Sequence, residues 1–261
     1  MKLQNKIAIV TGANREIGAA MAATLAGAGA LVLAAHYGEA DRVAVLVERV
    51  RAAGGTIATI DIDLRQVAAC QRVAARAVEL YGRIDIFVAN AGVTLRSPFL
   101  ETTEATWDTL VGLNLKGAYF GAQAAAQQMA AQGVAGPAKA PYRIVFTSSV
   151  TGIQAAPGSS VYAVTKAGLR HMAVTLAGEL GQYGITVNAI APGAVLNERN
   201  LAEQPNYEAV WDTVTPVGRV GQPQDIANAL GFLVSPEAEW ISAQTIVVDG
   251  GWSVLGQYPR E

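Results

Sequence analysis

Cysteine and histidine are nearly missing from this chain. Cys70 is the only cysteine in 261 residues, and His36 and His171 are the only histidines. One thiol makes no intrachain disulfide and no thiolate cluster. Two imidazoles are too few for the usual histidine-built metal centre, so no metal is expected. Charge is also scarce: 15% of residues are charged, 19 basic against 21 acidic, for a net of -2. No basic patch of the kind nucleic acid requires is visible, and no nucleic-acid partner is expected. Repeats and low-complexity linkers are absent too, so residues 1–261 read as one domain, with 51% hydrophobic residues to fill a sizeable core.

One uncharged stretch is long enough to cross a membrane, "IGAAMAATLAGAGALVLAA" from Ile17 to Ala35. Gly27 and Gly29 interrupt it, and small helix formers give way there to "ALVLAA". A buried helix followed by a buried strand is the better reading. The apolar run "KIAIV" near the start is too short for a signal peptide. The expectation is a cytoplasmic chain with no membrane partner.

Short β-rich runs recur at 6–11, 30–36, 56–61, 84–90, 143–148, 185–191 and 244–250. Most are too continuously apolar for one-sided burial, which implies a parallel sheet covered on both faces. Helical stretches lie between them, including 39–53, 66–81, 104–132 and 160–182. This alternation predicts an α/β fold, a doubly wound seven-stranded parallel sheet of the dinucleotide-binding kind. The least regular parts are 132–142 and 193–218, and such loops at strand ends usually carry function.

Where the first strand turns into the first helix stands "TGANREIG". Glycine there allows a tight turn and close approach of backbone to phosphate, and the helix start offers free N–H groups to an anion. Gly12, Asn14, Arg15, Ile17 and Gly18 are the cofactor-binding candidates of this loop. At the end of the second strand an adenosine ribose usually meets Asp or Glu, while a 2′-phosphate needs a cation. The residue here is His36, with Arg15 in the loop and Arg42 in the next helix; Glu39 and Asp41 stand close by. Arg15 can give charge-assisted bonds to a phosphate. NADP(H) is therefore favoured, with NAD(H) as the second choice; a solvated pair of His36 and Arg42 is the plainer alternative. Asp63 and Leu64 end the third strand, where a carboxylate can accept from the adenine amino group. Asn90, Ala91 and Gly92 end the fourth with small residues that admit a cofactor.

Tyr162 and Lys166 are spaced i,i+4 and share one helix face. An ammonium near a phenol favours the phenolate, and such a tyrosine can exchange a proton with an alcohol or ketone near neutral pH. Thirteen residues before Tyr162, "FTSSV" supplies Ser149 at a strand end, with Ser148 as a competing candidate.

Taken in order, "TGANREIG", "DIDL", "ANAG", "LNLKGAYF", "TSSV", "YAVTK", "NAIAPG" and "VVDGG" resemble the short-chain dehydrogenase/reductase family over essentially the whole chain. The resemblance implies a catalytic tetrad of Asn114, Ser149, Tyr162 and Lys166. In it Tyr162 is the acid/base, Lys166 lowers its pKa and holds the nicotinamide ribose, Ser149 positions the carbonyl or hydroxyl, and Asn114 holds a water that relays protons. Tyr162, Lys166, Pro192, Gly193, Val195 and Asn197 then join the cofactor contacts. It also implies a homotetramer built through the helices at 104–132 and 160–182 and the last strand. Small residues at Ala163, Ala167, Ala173 and Ala177 offer close packing there.

Three positions depart from the family pattern. Glu16 replaces the middle glycine of the loop, and an ordinary αR or β backbone is expected for it. Asn197 stands where a threonine is common. "ISAQ" at 241–244 replaces "ITGQ", with Ala243 only tightening the region. The leading functional expectation is an NAD(P)(H)-dependent oxidoreductase acting on a ketone or secondary alcohol. A sugar 1-dehydrogenase and a 3-oxoacyl-thioester reductase are the alternatives, and a nucleotide-sensing scaffold is the non-enzyme one. The expected substrate lining mixes Leu95, Ile153, Val195, Leu196, Tyr207 and Trp211 with Arg96, Gln154, Glu198 and Arg199, plus the tail at 252–261.

Overall fold

The computed structural model describes residues 2–133 and 141–255. Most of the irregular 132–142 stretch and the end of the tail lie outside them. Seven parallel strands run β1 (Ile7–Thr11), β2 (Leu31–His36), β3 (Thr56–Asp61), β4 (Ile86–Ala89), β5 (Tyr142–Thr147), β6 (Ile185–Pro192) and β7 (Thr245–Val248). Their order in the sheet is β3-β2-β1-β4-β5-β6-β7. The order reverses between β1 and β4, and the crevice above their carboxyl ends is where such sheets bind ligands.

Alternation along each strand divides the core in two. Ile9, Phe87, Ile144 and Phe146 face one cluster, while Ala8, Val10, Ile86 and Val145 face the other. Helices α3 (Val67–Tyr81), α5 (Ala118–Gln132) and α6 (Ser160–Leu180) cover the first face through Val73, Met129 and Leu169. Helices α1 (Glu16–Gly27), α2 (Ala40–Ala52) and α9 (Pro223–Val234) cover the second through Met21, Leu25, Leu46 and Leu230. Two-sided burial is why the strands read as continuous apolar runs. The uncharged 17–35 stretch is α1 followed by β2, and no described helix is long and apolar enough to cross a membrane.

Three expectations change. The 104–132 stretch is not one regular helix: α4 (Glu104–Leu110) passes through a π-helix at Val111–Gly117 into α5. The 193–218 stretch is not irregular throughout, since it holds α7 (Glu198–Glu203) and α8 (Tyr207–Val214). On α6, Ala173 is fully buried in the core, so it is not presented to a partner chain; Ala177 is half-buried against that core.

Candidate active site and cofactor cleft

The phosphate-type loop is built as its glycines require. Gly12 has φ +65°, and a Cβ there would lie 2.7 Å from Ala91 Cα. A Cβ on Gly18 would run into the Gly12 carbonyl. Asn90 fixes the loop from beneath, donating from Nδ2 to the carbonyls of Thr11 (3.0 Å) and Gly12 (3.2 Å). Thr11, which opens the loop motif but is not among its cofactor-binding candidates, anchors the other side: its Oγ1 accepts from the N–H groups of Asn90 and Ala91 at 2.9 and 3.0 Å. Its position at the end of β1, facing β4, is the signal that would have found it.

Glu16 opens α1 with φ +26°, not the αR or β backbone expected. Its carboxylate reaches the start of α7, accepting from the Glu198 N–H at 3.3 Å. Ile17 follows it, packed at the edge of the α1 face core.

Further along the cleft, His36 is buried, with Nδ1 2.9 Å from the Gly38 carbonyl. It is thus not one of a solvated pair with Arg42, whose guanidinium is bidentate to Glu198 at 2.7 and 2.6 Å. Glu198, one of the residues expected in the substrate lining, thus has its carboxylate engaged by Arg42. Arg15 is paired with Glu39, which also accepts from Asn14 Nδ2. The Asp63 carboxylate is engaged by Arg65 through side chain and backbone, which holds its pKa below the usual range. Leu64 beside it is buried. Pro192 closes β6, and Gly193 passes so near Asp249 that a Cβ would lie 2.5 Å from the Asp249 Cβ. Val195 is buried and bridges to Gly221. Asn197 caps α7, with Oδ1 accepting from Asn200 N–H at 2.8 Å and Nδ2 donating to the Val195 carbonyl at 3.1 Å.

At the other end, α6 carries Tyr162 and Lys166 on one face. Lys166 Nζ lies 5.6 Å from the Tyr162 ring centre and donates to the Thr147 carbonyl at 2.8 Å. Burial pushes the Lys166 pKa down, opposed by Tyr162. Ser148 is bonded to backbone, its Oγ donating to the Lys166 carbonyl at 2.7 Å. Ser149 caps the short 3₁₀ turn Val150–Gly152, and its Oγ accepts from Thr151 N–H (3.2 Å) and from Thr151 Oγ1 (3.0 Å). That turn is held on α6 by Arg170, which donates to the Gly152 carbonyl at 2.9 Å.

Asn114 sits in the π-helix, fully buried. Its amide is paired both ways with Val93: Oδ1 accepts from the N–H and Nδ2 donates to the carbonyl, each at 2.8 Å. Single π turns inside helices are often found at functional sites. Here the turn aims Asn114 at the segment leaving β4, where a Cβ on Gly92 would lie 3.1 Å from Asn114 Oδ1 and 3.5 Å from Lys166 Nζ.

The family model described as "Enoyl-(Acyl carrier protein) reductase" matches residues 12–253. The chain belongs to the short-chain dehydrogenase/reductase family. Among curated members of this family, it is 36% identical to the L-rhamnose 1-dehydrogenase (NAD(P)(+)) of Azotobacter vinelandii, over 96% of this chain and 98% of that one. It is 35% identical to the 3-oxoacyl-acyl-carrier-protein reductase of Staphylococcus aureus, over 94% and 97%. The solved short-chain dehydrogenase/reductase from Serratia marcescens superimposes with a TM-score of 0.88 at 31% identity, covering 97% of this chain and 100% of that one. Family membership makes the chain an oxidoreductase. Among the described residues no group of His, Cys, Asp or Glu could hold a metal ion.

Proposed function

We propose that the chain interconverts a ketone and a secondary alcohol, with Tyr162 as acid/base and with NADP(H) preferred over NAD(H). The observation that carries the reading is the buried Lys166 ammonium beside the Tyr162 ring, fixed by the Thr147 carbonyl below the strand-end Ser149. The phenol and the ammonium thus share one face of α6 beside Ser149, which supports Tyr162 as the group that gives and takes the substrate proton.

The cleft fits a dinucleotide. A Cβ at Gly12 or Gly18 would close the loop, and the N–H groups at the start of α1 are open to an anion. Gly12, Asn14, Arg15, Ile17 and Gly18 would line the diphosphate side, Arg15 meeting a 2′-phosphate. His36, Asp63, Leu64, Asn90, Ala91 and Gly92 would line the adenosine and ribose. Pro192, Gly193, Val195 and Asn197 would lie beside the nicotinamide, together with Tyr162 and Lys166. The bound cofactor supplies or accepts the hydride. Ser149 orients the substrate oxygen towards Tyr162, and Asn114 holds the Gly92–Val93 backbone so that a water can sit between it and Lys166.

A sugar 1-dehydrogenase is the second reading. It is favoured by the likeness to L-rhamnose 1-dehydrogenase and by the rings of Tyr207, Trp211 and Trp252, with centroids 5.8 and 4.9 Å apart in sequence. Exposed apolar side chains on α4, α5 and α6, among them Trp107, Tyr119, Val164 and Val174, support a homotetramer.

The test is Tyr162→Phe, followed by nicotinamide absorbance against a panel of ketones, secondary alcohols and aldoses. Turnover is expected to fall at least about a hundredfold, with cofactor binding nearly intact. A variant that keeps most of its turnover removes Tyr162 from the role. Native protein that binds cofactor yet turns over nothing in the panel favours a sensor.

A further inference from the structure

Arg15 and Arg42, at the ribose end of the adenosine side of the cleft, each already hold a carboxylate. Arg15 Nε donates to Glu39 Oε2 at 2.7 Å, its Nη2 donates to Oε1, and Asn14 Nδ2 donates to Oε2. Arg42 spends Nη1 and Nη2 on Glu198, while its Nε lies 3.7 Å from Glu39 Oε1. Glu39 is the N-cap residue of α2, yet its side chain caps nothing. Its backbone lies in the left-handed region, φ 56° and ψ 46°, which a glutamate adopts only under constraint. The carboxylate is turned from the helix it precedes into the fork of Arg15.

We propose that Glu39 is an internal stand-in for the 2′-phosphate of NADP(H) and sets how strongly this chain distinguishes the two nicotinamide cofactors. This rests on the reading of Arg15 as the 2′-phosphate ligand. A guanidinium fork matches a carboxylate and a phosphate by the same bidentate geometry. It cannot serve both at once without bringing two anions into contact. A 2′-phosphate therefore binds by displacing Glu39 from Arg15 and Asn14. The Nε of Arg42, already 3.7 Å from Glu39 Oε1, is the nearest partner left to the displaced carboxylate. The neutral 2′-hydroxyl of NAD(H) requires no such exchange. Glu39 thus weakens NADP(H) and leaves NAD(H) alone, which narrows the preference Arg15 would otherwise impose.

The experiment is calorimetric titration of the full chain, without substrate, using NADP⁺, NAD⁺ and adenosine 2′,5′-bisphosphate. Glu39→Gln is expected to tighten NADP⁺ and the bisphosphate at least tenfold, to leave NAD⁺ within threefold, and to show a smaller gain at high salt. Unchanged NADP⁺ affinity in Glu39→Gln overturns the proposal. So does a tenfold loss of NAD⁺ affinity, which would make Glu39 a ribose ligand. Arg15→Ala separates this from the underlying reading. If Arg15→Ala weakens NADP⁺ while Glu39→Gln does not tighten it, only the stand-in role falls; if Arg15→Ala leaves NADP⁺ unchanged, both fall. Should Glu39→Gln not fold, Glu39→Asp keeps the charge but withdraws it by one methylene. A several-fold gain for NADP⁺ alone is then expected, and no gain overturns the proposal.

Discussion

The Glu16 carboxylate accepts a hydrogen bond from the backbone N–H of Glu198, 182 residues further on, at 3.3 Å. The residue that replaces a loop glycine therefore ties the phosphate-type loop to the first turn of α7. The φ of +26° costs something, since L residues at positive φ lose about 1–2 kcal/mol. An acid in the first turn of α1 returns roughly 0.3–1 kcal/mol through the helix dipole, and the bond to Glu198 adds about 0.5 kcal/mol or somewhat more. These nearly cancel.

Glu16→Gly is accordingly expected to leave the melting temperature within about 3 °C, since 1 kcal/mol moves a chain of this size by roughly 2–4 °C. Glu16→Gln keeps an acceptor for Glu198 and loses only the charge. With the carboxylate occupied at α7, neither variant should tighten NADP(H) by more than about tenfold, or 1.4 kcal/mol. Titration at low and high salt checks this. A larger gain in either variant means that the carboxylate repels the diphosphate.

Ala243 presents the same backbone question without a side chain to compensate. It stands at φ +63°, where its N–H donates to the Val187 carbonyl at 2.8 Å. Flanking bonds hold the turn on β6: Ser242 Oγ accepts from Val187 N–H, and Asn188 Oδ1 accepts from Gln244 N–H. The turn cannot relax to a cheaper φ without breaking them. Ala243→Gly removes about 1–2 kcal/mol of left-handed cost and loses about 0.4–1 kcal/mol through the freer unfolded chain. A rise of about 1–3 °C in melting temperature is expected, and Ala243→Val should fall below the native protein. Calorimetric scans that place the glycine variant lower would show that the alanine methyl carries packing.

What was legible in the sequence follows what is periodic or local. Most of the seven β-rich runs report two-sided burial by their continuous apolarity, and all seven are strands with boundaries within two residues of those expected. Tyr162 and Lys166 report one helix face by their spacing, and the two are neighbours on α6. What was hidden is long-range or purely conformational. Arg15 and Glu39 lie 24 residues apart and meet only because β2 brings α2 back beside the loop. The π turn at Val111–Gly117 has no pattern of its own in a stretch that reads as continuous helix. Ala173 looks like part of a partner-facing stripe because alanine suits an interface and a core equally; only the direction of α6 decides between them.

The last expectation concerns acid stability through Asp225. This carboxylate accepts from the Gln222 N–H at 2.7 Å and from both Arg219 Nη atoms at 2.7 and 2.8 Å, closing a capping box at the start of α9. Helix α9 lies in the core on α1, so its first turn bears on the whole α1 face. Arg219 holds the Asp225 pKa below the usual carboxylate range. A carboxyl with a depressed folded pKa stabilises fully above its unfolded value, about 3.9, and loses that contribution as the pH falls through the folded value. Asp225→Asn should therefore be less stable by about 1 kcal/mol at pH 7, the usual size of a capping loss. The deficit should stay constant down to about pH 4 and shrink only below it. Both side chains are partly exposed, so the ion pair itself adds little beyond the cap. Urea titrations of the native protein and Asp225→Asn at pH 7, 5, 4 and 3 give the difference directly. A deficit that widens on acidification contradicts the depressed pKa, and no deficit at pH 7 removes Asp225 from the cap.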